Sequence, residues 1–220
     1  MQYVFLAIFL IATTIHLYAR IKRIARVRDI SKIFILLPLT FFYIFSVDKI
    51  NVFVVLALAC CWLGDVLLIF HGIKWFALGG SSFLIGHIFF IIAYNYDISY
   101  NAIPIWVLIL MPLIAITTVV IVCYKLKPYI KKALFIPTVG YLCANASMNV
   151  FAIFRLASSL SLNANFIGPM LTVVGALLFF VSDTSLFFVR FNKNSIMKTH
   201  FLVMITYSIG ELLIVLGLII

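Results

Sequence analysis

Two aspartates, Asp65 and Asp183, lie inside apolar runs long enough to cross a membrane: Val52-Phe53-Val54-Val55-Leu56 leads to Trp62-Leu63-Gly64-Asp65-Val66-Leu67-Leu68, and Gly175-Ala176-Leu177-Leu178-Phe179-Phe180-Val181-Ser182-Asp183 closes the second run. A carboxylate at membrane depth costs at least about 2.5–3.5 kcal/mol. The chain has six Asp and Glu residues in all and spends two of them there, in similar settings. A pair of carboxyl groups that share one proton supplies an acid and a base in one site. The chemistry expected of them is therefore acid–base catalysis or a proton path. No Ser-His-Asp or Gly-x-Ser-x-Gly pattern, Cys-His pair, phosphate loop or multi-histidine cluster competes with it. No metal and no cofactor are expected.

Helical spacing of three and four residues sorts the other polar groups onto faces. Ala57, Cys61, Gly64, Asp65 and Leu68 share one face, and Gly175, Phe179, Ser182, Asp183 and Leu186 share another. Small residues mark helix–helix contacts in bilayers, so both aspartates should point away from lipid. Gly79, Phe83, Gly86, His87 and Phe90 form a third face; Tyr141, Asn145, Met148, Asn149 and Ala152 a fourth; Tyr207, Gly210, Glu211 and Ile214 a fifth. His87, Tyr141, Asn145, Ser182, Tyr207 and Glu211 are the candidates to orient or tune the aspartates. Each has a plainer alternative. His87 and Glu211 equally suit hydrogen bonds between helices, and Tyr141, Asn145 and Asn149 suit packing. His16 and His71 receive no role.

The elements that must hold these residues are membrane spans. Of the 220 residues, 66% are hydrophobic and 10% charged, and the mean hydropathy is +1.26. A soluble domain of this size is about half apolar and a quarter charged. An all-α, polytopic helix bundle is expected, a single transmembrane domain over residues 1–220. Eight apolar segments are expected as spans: Gln2–Ala19, Ile33–Val47, Val52–Phe70, Trp75–Tyr94, Ile103–Tyr124, Ala133–Leu156, Phe166–Val189 and Met197–Ile220. The first has its positive charge after it, so it reads as a retained span. Four cysteines within apolar runs read as small packing residues.

Basic residues fall in alternate loops. Arg20, Lys22, Arg23, Arg26, Arg28 and Lys32 follow the first span, and Lys74 follows the third. Lys125, Lys127, Lys131 and Lys132 follow the fifth, and Arg190, Lys193 and Lys198 the seventh. Only Lys49 and Arg155 lie on the other side. The positive-inside rule then predicts basic loops in the cytoplasm and both termini outside, in the inner membrane for a bacterial chain. The formal net charge of +10 is thus a topology signal, and nucleic acid is not an expected partner. Counted to the ends of these segments, the two aspartates share a depth near the cytoplasmic boundary.

The two halves echo one another. Gly64-Asp65-x-x-Leu68 parallels Ser182-Asp183-x-x-Leu186, Gly86-His87 parallels Gly210-Glu211, and Lys32 with Pro38 parallels Lys132 with Pro137. A parallel repeat of four plus four spans, residues 1–100 and 101–220, would bring Asp65 and Asp183 to equivalent positions facing one axis.

Several of these runs resemble the YhhN-like lysoplasmalogenase family. They are Gly64-Asp65-Val66-Leu67-Leu68, Phe83-Leu84-Ile85-Gly86-His87, the Gly175–Asp183 run ending at Arg190-Phe191, and Thr206-Tyr207; Tyr141 and Met148 extend the likeness over the whole chain. Three positions depart from the family pattern: Phe90 stands where Tyr is frequent, Glu211 where Gln is usual, and Lys32 is not followed by Pro. The resemblance implies hydrolysis of the vinyl ether bond of lysoplasmalogens to a fatty aldehyde and glycerophosphocholine or glycerophosphoethanolamine. Asp65 and Asp183 would be catalytic. Lys32, Lys74, Lys132 or Arg190 would hold the headgroup of the lysophospholipid near the membrane surface. Membrane lipids are the other expected partners. Two competing readings are a proton-coupled transporter and a lipid-binding membrane protein. The oligomeric state has no sequence signal.

Overall fold

The computed structural model describes residues 1–192 and 200–220. Lys193 and Lys198, counted among the basic loop residues, and the first three residues of the segment expected from Met197 lie outside the described residues. The described residues form eight α-helices: α1 (Gln2–Ile21), α2 (Ala25–Ser46), α3 (Val52–Leu67), α4 (Ile73–Asn95), α5 (Ile105–Leu126), α6 (Lys132–Ser161), α7 (Ile167–Phe191) and α8 (His200–Ile219). A single 3-10 turn, Tyr100–Ala102, precedes α5, and no strand occurs among the described residues. Seven of the helices are long and apolar enough to cross a membrane; α3, with 16 residues, is shorter. At 1.5 Å per residue α3 reaches about 24 Å, against about 30 Å of hydrocarbon.

Each expected segment corresponds to one helix, and the ends differ for local reasons. α2 begins eight residues before the expected Ile33, because Arg26, Arg28 and Lys32 are good helix formers and their turn of helix packs on α1. The α1–α2 connection is a tight turn. Arg23 takes the left-handed conformation (φ 59°), Ile24 N–H donates to the Ala19 carbonyl at 2.9 Å, and Arg23 N–H to the Arg20 carbonyl at 3.3 Å. That pattern closes a helix by returning two amides to its last carbonyls. Asn163 (φ 52°) closes α6 in the same way, with Ala164 N–H on Ser159. α3 stops early because Ile69 and Phe70 donate three residues back, to Val66 and Leu67, and Gly72 (φ 124°) then reverses the chain.

The chain divides into two compact units, Met1–Ala93 and Tyr94–Leu218. In the first, α1 and α2 form an antiparallel hairpin, with Phe5 stacked on Phe41 and Phe45 at one end. α3 is tied to α2 by Trp62 Nε1, which donates to the Ile33 carbonyl at 3.0 Å, and by Tyr43, whose hydroxyl accepts from Asn51 N–H. α4 runs back along α3 at close range: a Cβ on Gly64 would lie 3.1 Å from the Gly79 carbonyl, one on Gly86 3.2 Å from that of Ala57, and Ser82 Oγ donates to Cys60 at 2.7 Å.

In the second unit, Ile103 and Val107 pack on Val150 and Phe154 to join the start of α5 to α6. α7 and α8 meet in a seam with a seven-residue period. Gly168 faces Gly217, Gly175 faces Gly210, and Ser182 Oγ donates to the Val203 carbonyl at 2.8 Å. Small residues at these positions let the two backbones touch. Arg155 of α6 pins the far end of this seam. Its Nη1 donates to Thr172 Oγ1 of α7 (3.0 Å) and to the Gly217 carbonyl of α8 (2.9 Å), and its Nε pairs with Asp97 at 3.0 Å.

Candidate active site

Asp65 and Asp183 are both buried, 2% and 5% exposed, as the small-residue faces predict. The other three faces are buried too: Phe83, Gly86, His87 and Phe90 on α4, Tyr141 through Ala152 at helical spacing on α6, and Tyr207, Gly210, Glu211 and Ile214 on α8. Periodicity therefore identified the buried side of these five helices correctly.

In the first unit Asp65 is held by a cation. Lys32 Nζ lies 3.1 Å from Asp65 Oδ1, and both side chains are buried. Lys32 is available because α2 extends back past it, and Trp62, one turn before Asp65, sets the height of α3 against Ile33, the residue next to Lys32. A buried charge needs such a partner, since the attraction inside must offset lost hydration. The headgroup role expected for Lys32 thus meets a different placement: its ammonium faces an aspartate inside the protein. His87, on α4, is fully buried in the same unit.

In the second unit Asp183 is held by neutral donors. Tyr141 hydroxyl donates to Asp183 Oδ2 at 2.5 Å, and Asn145 Nδ2 donates to the same oxygen at 2.6 Å. Tyr141 and Asn145 are one turn apart on α6, so a single helix face presents both. Asn149, a further turn along, donates to the Asn145 carbonyl (2.9 Å) and to its side-chain oxygen (3.3 Å). The Asn145 amide is thereby turned with its nitrogen toward Asp183. Asn149 was on the expected face but not among the site candidates; its spacing of four from Asn145 was the signal available. Tyr207 packs edge-on to Phe179, with ring centroids 5.3 Å apart. Glu211 is fully buried beside the Gly210 contact. Ser182 has a structural partner, the Val203 carbonyl, one residue before Asp183 in the chain.

The remaining basic candidates differ from Lys32. Lys74, Lys132 and Arg190 are exposed. Along their own helices the two aspartates are not equivalent. Asp65 is two residues from the last residue of α3, and Asp183 eight from that of α7. The difference arises because α3 closes three residues before the expected end of its segment.

Two buried carboxyl groups with unlike partners, one beside an ammonium and one under a phenol and an amide, give this protein two chemically distinct acid–base groups. Among the described residues no group of three or more His, Cys, Asp or Glu side chains is arranged to hold a metal ion. Comparison with family profiles matches residues 27–218 to the YhhN family. No curated protein and no solved structure matches the chain.

Proposed function

The chain belongs to the YhhN family, and from that premise we propose that it is a membrane-embedded hydrolase that cleaves the vinyl ether bond of lysoplasmalogens. The observation that carries this reading is the pair of buried aspartates, each provided with dedicated partners: Lys32 on Asp65, and Tyr141 with Asn145 on Asp183. Structural helices have little reason to bury two acids and equip both.

The reaction suits carboxyl groups. A carboxylic acid protonates the β-carbon of the vinyl ether, and the α-carbon becomes an oxocarbenium ion. Water adds to that carbon as a carboxylate takes its proton. The resulting hemiacetal breaks its bond to the glycerol oxygen, giving a fatty aldehyde and a glycerophosphodiester. One carboxyl group donates the proton, and the other steadies the cation and activates water, the division of labour that glycosidases use on a related cation. Asp65 and Asp183 take these two roles. Tyr141, Asn145 and Asn149 fix the orientation of Asp183, and Lys32 that of Asp65. All eight helices lie in the membrane, with the basic loops on the cytoplasmic side.

Purified protein in detergent should release aldehyde from a 1-alkenyl lysophospholipid and none from the 1-acyl lysophospholipid of the same headgroup and chain. Fatty acid release from the ester, with no aldehyde from the vinyl ether, would replace this reading with a lysophospholipase.

A further inference from the structure

The α1–α2 hairpin carries a second polar cluster, beside the Lys32–Asp65 pair and separate from it in its bonding. His16 is fully buried on α1. Its Nδ1 lies 3.0 Å from the Arg28 carbonyl and 3.2 Å from Ser31 Oγ, both on α2. Its Nε2 lies 3.1 Å from Arg20 Nε, one helical turn along α1. A carbonyl only accepts and a guanidinium only donates, so these contacts fix one tautomer: Nδ1 carries the proton and Nε2 accepts from Arg20. A neutral imidazole, itself anchored across the hairpin, thus holds an arginine by its inner nitrogen.

The charges around it do not cancel. Arg28 pairs with Asp29 at 2.7 Å and Lys32 pairs with Asp65 at 3.1 Å. Arg20 has neither aspartate as a salt-bridge partner, and its one side-chain hydrogen bond among the described residues is the one to His16. Its terminal nitrogens, Nη1 and Nη2, are the two that form the fork for an oxyanion. Arg20 is half-buried, and its Nε is held by His16. It lies within electrostatic range of Asp65 as well as of Arg28 and Asp29. The cluster therefore has one positive charge more than it has negative ones, and the excess sits on the group best shaped to clasp a phosphate.

We propose that Arg20, held in place by His16, is the phosphate-binding residue for the single-chain phospholipid on which Asp65 acts. The inference rests on the hydrolase reading and replaces Lys32 in the headgroup role. A phosphodiester bound at Arg20 supplies the missing negative charge. Lys32 is left to its pairing with Asp65. His16 is a positioning residue: it touches Arg20 and not the lipid.

The test compares two substrates, a 1-alkenyl glycerophosphocholine and the phosphate-free 1-alkenylglycerol, in detergent micelles, for wild type, Arg20→Met, Arg20→Lys and His16→Phe. Size-exclusion profiles and thermal melting identify any variant that has lost its fold. Arg20→Met is expected to raise KM for the phosphodiester about tenfold or more relative to the phosphate-free lipid, with kcat changed far less. Arg20→Lys keeps the charge and should recover part of that loss. His16→Phe should move the same KM ratio in the same direction by a smaller factor, which a purely structural histidine would not do. An unchanged ratio in folded Arg20→Met overturns the proposal. If wild type hydrolyses neither lipid, the hydrolase reading has failed, and binding decides the site separately. Quenching of tryptophan fluorescence by lysophosphatidylcholine, monoacylglycerol and inorganic phosphate would then be compared. Loss of lysophosphatidylcholine binding alone in Arg20→Met supports a lipid phosphodiester site. Binding of inorganic phosphate as tight as that of the lipid, or no difference between wild type and variant, contradicts it.

Discussion

Lys32 and Asp65 carry opposite charges out of water, and such a pair is far costlier to break than to do without. Lys32→Met leaves the Asp65 carboxylate buried beside a methyl group, and thermal unfolding in detergent should show a loss of about 3–5 kcal/mol. Adding Asp65→Asn to Lys32→Met should recover much of it; strictly additive losses would mean the two groups are not coupled. At Asp183 the phenol of Tyr141 and the amide of Asn145 are neutral donors, and the role proposed for them is orientation. Asn149→Ala frees the Asn145 amide to turn, so turnover should fall while the melting temperature changes little; unaltered turnover would reduce Asn149 to packing. The two acids stand out in the sequence because charge in an apolar run is costly. Their partners do not, for distinct reasons. Lys32 stands in a basic stretch that looks like a loop, and its pairing depends on the register of α2 against α3, which Trp62 sets. Tyr141 and Asn145 lie on a legible face, yet nothing in α6 alone says which acid they meet. His16 and Arg20 were four residues apart in plain view, but their bond matters only once α2 supplies Arg28 and Ser31.

Helix pairs in both units rely on glycine for close approach, and the positions differ sharply in what a methyl group would meet. A Cβ on Gly217 would collide with the Gly168 carbonyl and with Thr172, and one on Gly175 would lie 2.6 Å from the Gly210 carbonyl. Gly80 and Gly140 have nothing within 4 Å of that position. Gly217→Ala and Gly175→Ala should therefore each destabilise by about 1–3 kcal/mol, as overpacking does. Gly80→Ala and Gly140→Ala should be neutral or stabilising by up to about 1 kcal/mol, through helix propensity alone. Melting curves of the four variants that failed to separate these pairs would show that the seams tolerate spreading. The faces of the helices were readable because a 3.6-residue period leaves its mark on every turn. The ends were less so. Hydropathy carries α3 on to Phe70, whereas three-residue turns and Gly72 stop it at Leu67; charge hides the first two turns of α2, which contact with α1 keeps helical.

At the scale of the whole molecule, each four-helix unit joins its third helix to its fourth through glycine contacts and puts an aspartate on the third. A duplication would account for this correspondence, and backbone superposition of α1–α4 on α5–α8 would then bring Asp65 near Asp183; a failure of the helices to overlay in order would remove it. The proposed orientation is open to labelling. In a cysteine-free background, a membrane-impermeant maleimide applied to intact cells should modify Asp48→Cys and spare Tyr129→Cys, and the reverse pattern would invert the protein in the membrane. The orientation rests on the alternation of basic residues between spans, a pattern that needs no knowledge of packing. The proposed chemistry needs the two acids together. Aldehyde release from a lysoplasmalogen by purified wild type, Asp65→Asn and Asp183→Asn, each shown to be folded, tests it most directly. Each substitution should lower turnover by about 100- to 10,000-fold, the range that acid–base groups contribute; wild-type rates in both variants would contradict the account.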